Sequence, residues 1–393
     1  MRLSGARVVT SAARARRIDL SVRNGAIQPF NSNSPAADPF QLDLSGHLIL
    51  PGLINSHDHL EFNLYPRLAQ GPHPNYISWA AKAYQPDSMP VKQQLGIPKA
   101  VRLFWGGLKN LLSGVTTVAH HNPYESKVFG IGFPVRVVRR YGWGHSLHFS
   151  PDLTQRHADT PRGWPFFIHA AEGTCSKMAT EVSALDESGI LTDRTILIHG
   201  VALDRSGVRL LRRRRTSLIW CPSSNLFTLG HTLSSIVLRS GVAISLGTDS
   251  ALTADGDLID ELRVARSLGV VSPNQLFDMV TTAAARILRL NRGEGRIVEG
   301  GVADLVAVSS ESDKPSAALL KMNPELVLLG GRIKLLSRRL ADQLPRRRKL
   351  GLEPISVEGR GDYLVDARVS DLYACVTSNL EADFRLAGKR VWV

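Results

Sequence analysis

Between Pro51 and about Leu290, short apolar runs alternate with longer amphipathic stretches, and this alternation restricts the possible folds more than any other feature. Residues 50–59, 116–121, 142–149, 165–169, 195–199, 217–221 and 242–249 read as strands, and a helix over 99–112 is closed by Ser113-Gly114. Strand and helix taking turns over about 250 residues suit a parallel α/β architecture closed into a barrel. Seven strands are clear where such a barrel has eight. Residues 150–164, with Pro151 and Pro161, are too few for a strand, a helix and a return. The expectation is therefore a TIM-like β/α barrel that is distorted there or hides a degenerate strand.

The chain ends follow a different rule. In residues 1–50, short apolar runs are separated by turn signals, among them Asn24-Gly25, the dipeptide of a tight hairpin, and a polar loop at 31–39. So small a β unit is not stable alone. Glycine-punctuated β runs return at 291–308 and 326–336. The expected organisation is a small β-sandwich made by both ends, residues 1–50 and 296–340, beside a barrel of residues 51–295. Residues 341–393 form an extension, with a helix near 369–379 and a strand at 385–393, packed on the sandwich or at a subunit contact.

Composition limits the partners. The chain has 393 residues, 43% of them hydrophobic, enough for a large core. Cys175, Cys221 and Cys375 are far apart and form no CxxC, which suits a reducing compartment and argues against cysteine-bound zinc. No apolar run approaches the roughly 20 residues that span a bilayer, and the N-terminus lacks a signal peptide's apolar core. A cytoplasmic protein without a membrane partner is expected. The net charge of +13 is conspicuous at 212–215 and Arg346–Lys349. Neither run is interleaved with aromatic residues, so both read as solvated faces and no nucleic-acid partner is expected. A small-molecule substrate is expected, with a homo-oligomer left open.

The chemistry gathers at strand ends. His57 and His59 close the first strand and share a face while Asp58 turns away. His169 and His199 close two middle strands, and Asp249 closes the last. A single histidine or aspartate so placed is ordinarily a hydrogen-bonded rim or capping group. Five at the C-terminal rim of one barrel, where active sites of this architecture lie, point to a metal site.

The ordered set Pro51-Gly-Leu-Ile-Asn-Ser-His-Asp-His59, His169-Ala-Ala-Glu172, Ile198-His-Gly-Val-Ala-Leu203, Cys221-Pro-Ser-Ser-Asn225, Gly247-Thr-Asp-Ser250 and Gly300-Gly-Val-Ala-Asp-Leu305 resembles the amidohydrolase superfamily. Within it, the likeness is to the cytosine-deaminase-like and triazine-hydrolase-like metal enzymes. The resemblance implies one divalent metal on His57, His59, His169 and Asp249, zinc in the first place and ferrous iron as the alternative. It also implies that Asp249 takes or holds the proton of the activated water and that His199 hydrogen-bonds that water or the developing charge. Glu172 would shuttle a proton to a ring nitrogen, although an acid there also suits the positive end of the helix that follows. Binuclear relatives carry a bridging lysine on the fourth strand; 150–164, taken as that region, has none, so one metal is expected.

Cys221 reads as core, and Ser223, Ser224 and Asn225 as loop supports. Of the pair His120-His121, the second is placed in the mouth. The loop of residues 61–90, with Arg67, Tyr76 and Trp79, reads as a lid, and His121, Arg67 and Trp79 are the expected substrate contacts. The implied reaction is hydrolysis of a C–N bond, foremost deamination of an amino-substituted heterocycle. Cleavage of an amide, a cyclic amide or another leaving group is the alternative, and a non-catalytic scaffold with a basic surface is the third reading.

Overall fold

The computed structural model describes residues 1–30, 40–310, 313–349, 351–380 and 385–393; the loop expected at 31–39 lies outside them. Eight parallel strands make the barrel: Leu53–Asp58, Val115–His120, Arg136–Val137, Gly142–Ser146, Phe166–Ala170, Thr195–His199, Ser217–Trp220 and Ile244–Leu246. They form a three-stranded sheet of the first three and a five-stranded sheet of the rest. The eighth strand meets the first where the Thr248 and Asp249 N–H groups donate to the His57 carbonyl at 3.0 and 3.1 Å. Gly247 permits that approach, because a Cβ there would stand 2.7 Å from the His57 Cβ. Ile54, Ala119, Phe167, Ile198 and Ile219 fill the interior, together with Ala284 and Leu288 from the region of the helix Thr282–Ile287.

The missing strand is not within 150–164, which instead holds the helix Leu153–Asp159. It is Arg136–Val137, only two residues long, and just four residues separate it from the fourth strand. Gly130, Gly132 and Pro134 before it, and the immediate return after it, leave only the short run Val135-Arg-Val-Val138, with no helix to follow it. The distortion of the barrel is therefore on this side, between strands three and four. The fourth strand is Gly142–Ser146, and it carries His145 and no lysine.

Both chain ends meet beside the barrel. The strand His47–Pro51 pairs antiparallel with Leu305–Ser309 inside a ten-stranded sheet, which faces a four-stranded sheet of residues from 2–43. Leu3, Leu20, Leu42, Ile49, Leu305 and Leu328 are buried between them. Asn24 and Gly25 both have positive φ, 51° and 78°, as the tight turn between Leu20–Arg23 and Ala26–Ile27 requires. The tail adds strands Glu353–Val357 and Gly361–Val365 to the large sheet, and its helix Val369–Thr377 packs on the helix Lys99–Leu112. In the basic run at 212–215, Arg213 and Arg214 are exposed and share Asp186. Among the described residues, no helix is long and apolar enough to cross a membrane.

One buried cluster joins these parts behind the rim. Asp58, fully buried, faces the Lys109 ammonium at 3.0 Å. Its carboxylate also accepts from the side-chain amides of Asn63 and Asn110, both at 2.8 Å, and from the Thr248 hydroxyl at 3.2 Å. Asn55 donates to Asn110 and Thr248 at 2.9 Å each. The ladder between the first and second strands shifts register between Asn55 and Asp58. Strict alternation from inward-facing Ile54 would aim Ser56 and Asp58 into the barrel; the irregularity aims His57 there and turns Asp58 onto Lys109. Lys109→Met would leave a buried carboxylate without its counter-charge, an effect of about 3–5 kcal/mol. Chemical denaturation is expected to show a loss of that order, partly recovered in Asp58→Asn/Lys109→Met. A single variant as stable as the parent would show that the pair does not hold the rim.

Candidate active site

Four short segments bring the expected residues to one point. His57 and His59 come from the end of the first strand, and their Nε2 atoms lie 3.7 and 3.8 Å from Asp249 Oδ1. His169 Nε2 is 3.4 Å from His57 Nε2. His199 Nε2 is 3.6 Å from Glu172 Oε1 and 4.0 Å from Asp249 Oδ2. Two overlapping groups, His57–His59–His169 and His57–His199–Asp249, each bring their ligand atoms within 4.8 Å of one another, and every member is buried.

The backbone at three strand ends is bent to achieve this. Ala171, His199 and Asp249 have φ of 53°, 73° and 57°, left-handed values that side-chain-bearing residues adopt at a cost and that cluster at functional sites. After Ala171 the chain is clamped: Glu181 accepts the Ala171 N–H at 2.8 Å and the Tyr76 hydroxyl at 3.2 Å. Tyr76 also donates its N–H to the Glu172 carbonyl at 3.1 Å, so the helix Tyr76–Ala83 is tied to the Glu172 turn twice. Asp249 accepts from Ser224 Oγ at 2.7 Å, Thr253 Oγ1 at 3.1 Å and the Ser250 N–H at 2.8 Å.

Hydrogen bonds assign the tautomers. His169 Nδ1 faces the His145 carbonyl at 2.8 Å, and a carbonyl only accepts, so the proton is on Nδ1 and the Nε2 lone pair is free. His199 Nδ1 meets the Asn225 side-chain oxygen at 2.7 Å, while the Asn225 amide donates to Thr232 Oγ1 at 3.4 Å. His199 Nε2 is therefore also a lone pair. Burial keeps these imidazoles neutral: it pushes His57 down to about 4 and His169 well below 6.5. Burial opposes ionisation of Asp249, but hydrogen bonding with His57 first, and then the polar rings of His57, His199 and His59 around it, hold the carboxyl well below its usual range. Glu172 goes the other way, raised well above 4.5 by burial and by the negative charges of Asp249 and Glu181. Converging lone pairs beside a carboxylate repel one another unless a cation lies between them, so the donor set fits a divalent ion.

A cavity of about 110 Å³ opens above this cluster. Trp79 lines it, as do Tyr76, Phe149 and His145. Two expected substrate contacts are placed differently. His121 lies behind His169, the rings 4.3 Å apart, with Nε2 on the Gly144 carbonyl at 3.1 Å. Arg67 is outside the cavity, its guanidinium 5.1 Å over the Phe227 ring and 3.8 Å from Asp255. His145 and Glu181 are additions. The first stands in a strand-end run, Gly142-Trp-Gly-His145, that could have singled it out; the second sits mid-helix and carries no local signal.

Glu261, buried behind the site, accepts the Ser223 N–H at 3.2 Å, and burial pushes its carboxyl up to about 8. An unfolded glutamate titrates near about 4.3. Between those values the folded state holds a proton that the unfolded state has lost, so stability falls as pH rises. Relative to Glu261→Gln, the metal-free protein is expected to lose about 1.4 kcal/mol of unfolding free energy per pH unit across that window. Denaturation curves running parallel for the two proteins would contradict the assignment.

Residues 156–334 match the family model described as "Amidohydrolase family". The 5-methylthioadenosine/S-adenosylhomocysteine deaminase of Pyrococcus furiosus is 26% identical over 356 residues, covering 75% of this chain and 82% of that protein. A protein of the same description from Haloquadratum walsbyi is 35% identical over 143 residues, 34% of this chain and 31% of its own. Among solved structures, a zinc-bound adenosine deaminase from Xanthomonas campestris superposes with a TM-score of 0.71 at 16% identity, covering 96% of this chain and 97% of the other. Atrazine chlorohydrolase from Arthrobacter aurescens TC1, complexed with zinc, gives 0.70 at 17% identity, covering 96% and 99%. At such identities the superpositions speak for the fold.

Proposed function

We propose that the chain is an amidohydrolase that hydrolyses a C–N bond, deaminating an amino-substituted heterocycle. The observation that carries this reading is the placement of Glu172, a buried carboxyl 3.6 Å from His199 and in the same cavity as Asp249, raised well above its usual range by burial and by the charges of Asp249 and Glu181. His57, His59, His169 and Asp249 would hold one divalent cation, zinc in the first place and iron(II) as the alternative. Three nitrogens and one oxygen with a face left open suit catalytic zinc. Such an ion, when bound, lowers the pKa of a water from about 15.7 towards 7.

The chain's own groups then move the protons. Asp249, ionised, accepts a proton from the water as its oxygen bonds to the amino-bearing carbon. His199 presents a lone pair, so it orients that water by accepting its O–H. Glu172 gives its proton to the adjacent ring nitrogen, which drains the electrons of the attacked C=N bond. The protonated amino group leaves as ammonia with the proton that Asp249 took. Water is consumed, one C–O bond is made, one C–N bond is broken, and a ring carbonyl with an N–H remains. Glu172 regains its proton from the tetrahedral centre. Placed general acids of this kind contribute about 10²–10⁴ in rate.

Glu172→Gln is expected to retain stoichiometric metal and lose ammonia release by about that factor, whereas His169→Ala loses the metal. Metal analysis with an ammonia assay over aminopyrimidines and aminopurines reads both. Full turnover by Glu172→Gln would remove the proton-shuttle role. Release of a different leaving group, or amide cleavage without ammonia, would favour the alternative hydrolase reading.

A further inference from the structure

We propose that Arg360 and Lys389 of the C-terminal extension are positioning residues for the metal ligand Asp249, an assignment that rests on the metal site read above. The extension reaches the barrel with two turns. Arg360 stands in the turn between the strands Glu353–Val357 and Gly361–Val365, and Lys389 opens the strand Lys389–Trp392 just after the turn at Ala387-Gly388. The strands Glu353–Val357 and Lys389–Trp392 are paired, so both cations come to one place. There they meet Asp257, whose side chain is only 3% exposed. Arg360, itself 8% exposed, donates to Asp257 Oδ2 and to the Leu112 carbonyl, the latter at 2.7 Å. Lys389 lies 3.5 Å from the same Asp257 oxygen and donates to Asp260 at 2.8 Å.

Asp257 ends the loop that Asp249 begins. Its other oxygen caps the helix Leu258–Ser267 by accepting the Ile259 N–H at 2.9 Å, and Asp260 accepts the Asp257 N–H in return at 3.2 Å. The start of the loop is fastened where the Asp249 N–H donates to the His57 carbonyl, and its end is fastened by the extension. Thr253, between the two, donates to the Asp249 carboxylate. The helix beyond acts on the site as well, because Glu261 in its first turn accepts the Ser223 N–H at the start of the helix Pro222–Leu229. That second helix brings Ser224 to Asp249 and Asn225 to His199.

Both side-chain hydroxyls that hold Asp249 are thus carried by segments that Asp257 anchors, Thr253 by the loop and Ser224 through Glu261. An exposed ion pair would add little to such a hold. This one is buried, and taking away one partner leaves a charge without its counter-charge. The extension has another ion pair, Lys334 with Asp366 at 2.8 Å, which ties it to the strand Arg332–Ser337 and not to the loop.

The test uses the full-length protein and reads zinc affinity by competition with a chelator, with no substrate present. Arg360→Met is expected to weaken zinc binding at least about tenfold, the size of effect typical of groups that orient metal ligands. Lys389→Met, whose ammonium is shared between two carboxylates, is expected to lose less in the same direction. Arg360→Lys keeps the charge but not both bonds of the guanidinium, and recovers part of the loss. Lys334→Met keeps the parent's affinity. Circular dichroism checks that each variant folds, and if Arg360→Met does not, Lys389→Met decides. Unchanged zinc affinity in folded Arg360→Met or Lys389→Met, or an equal loss in Lys334→Met, would overturn the proposal. A parent protein that takes up no zinc would remove the metal site itself. A parent that binds zinc and releases no ammonia would remove deamination and leave the clamp on Asp257 standing.

Discussion

The buried pair of Asp58 and Lys109 is the constraint on which the rim depends. An aspartate between two candidate ligands would itself compete for a cation if it faced the mouth. The irregular end of the first strand turns it away, and Lys109 with Asn55, Asn63, Asn110 and Thr248 saturates it. Each partner comes from a different part of the chain: Asn55 from the strand, Asn63 from the start of the lid, Lys109 and Asn110 from the helix, Thr248 from the segment beside Asp249. A pair so deeply buried is weak evidence for stability as such, since its desolvation offsets much of the attraction. Its effect is on geometry, because a saturated polar cluster has one arrangement and neighbouring side chains inherit it.

Desolvation also separates the protonation states at the site. Burial lowers the pKa of the His169 and His199 imidazoles, and their Nδ1 protons are fixed by the His145 carbonyl and by Asn225. Asp249 and Glu172 are both carboxyls in one cavity, yet Asp249 sits among imidazoles and Glu172 faces Asp249 and Glu181. Carboxyls whose surroundings push them apart in this way can take opposite roles, one accepting a proton while the other supplies one.

The barrel departs from regularity where strands three and four follow each other without a helix. That compression places Gly142–Ser146 so that His145 reaches the cavity and its carbonyl orients His169. Nearby, the lid helix Tyr76–Ala83 is bound to the Glu172 turn through Glu181 and through the backbone. The roof over the cluster and the acid beside it are thus joined by hydrogen bonds. A change in the lid would be felt at Glu172.

The linear order of residues was enough to show an alternating α/β chain, a β unit shared by both ends, and a set of strand-end histidines and an aspartate on one rim. Those properties are local or periodic: side-chain alternation, glycine punctuation and position at a strand end need no knowledge of what lies across the barrel. The two-residue strand Arg136–Val137 escaped because a strand that short has no period, and the mid-helix positions of Lys109 and Glu181 look like solvated ones. Arg67 looked like a substrate contact because it lies on the lid loop at the rim, but the fold set it against Phe227 and Asp255. Tertiary structure alone decided which lone pairs meet, which carboxyl keeps its proton and how much room is left above them. The physical reason is that burial, charge proximity and cavity size are properties of segments brought together from distant parts of the chain, and no single segment contains them.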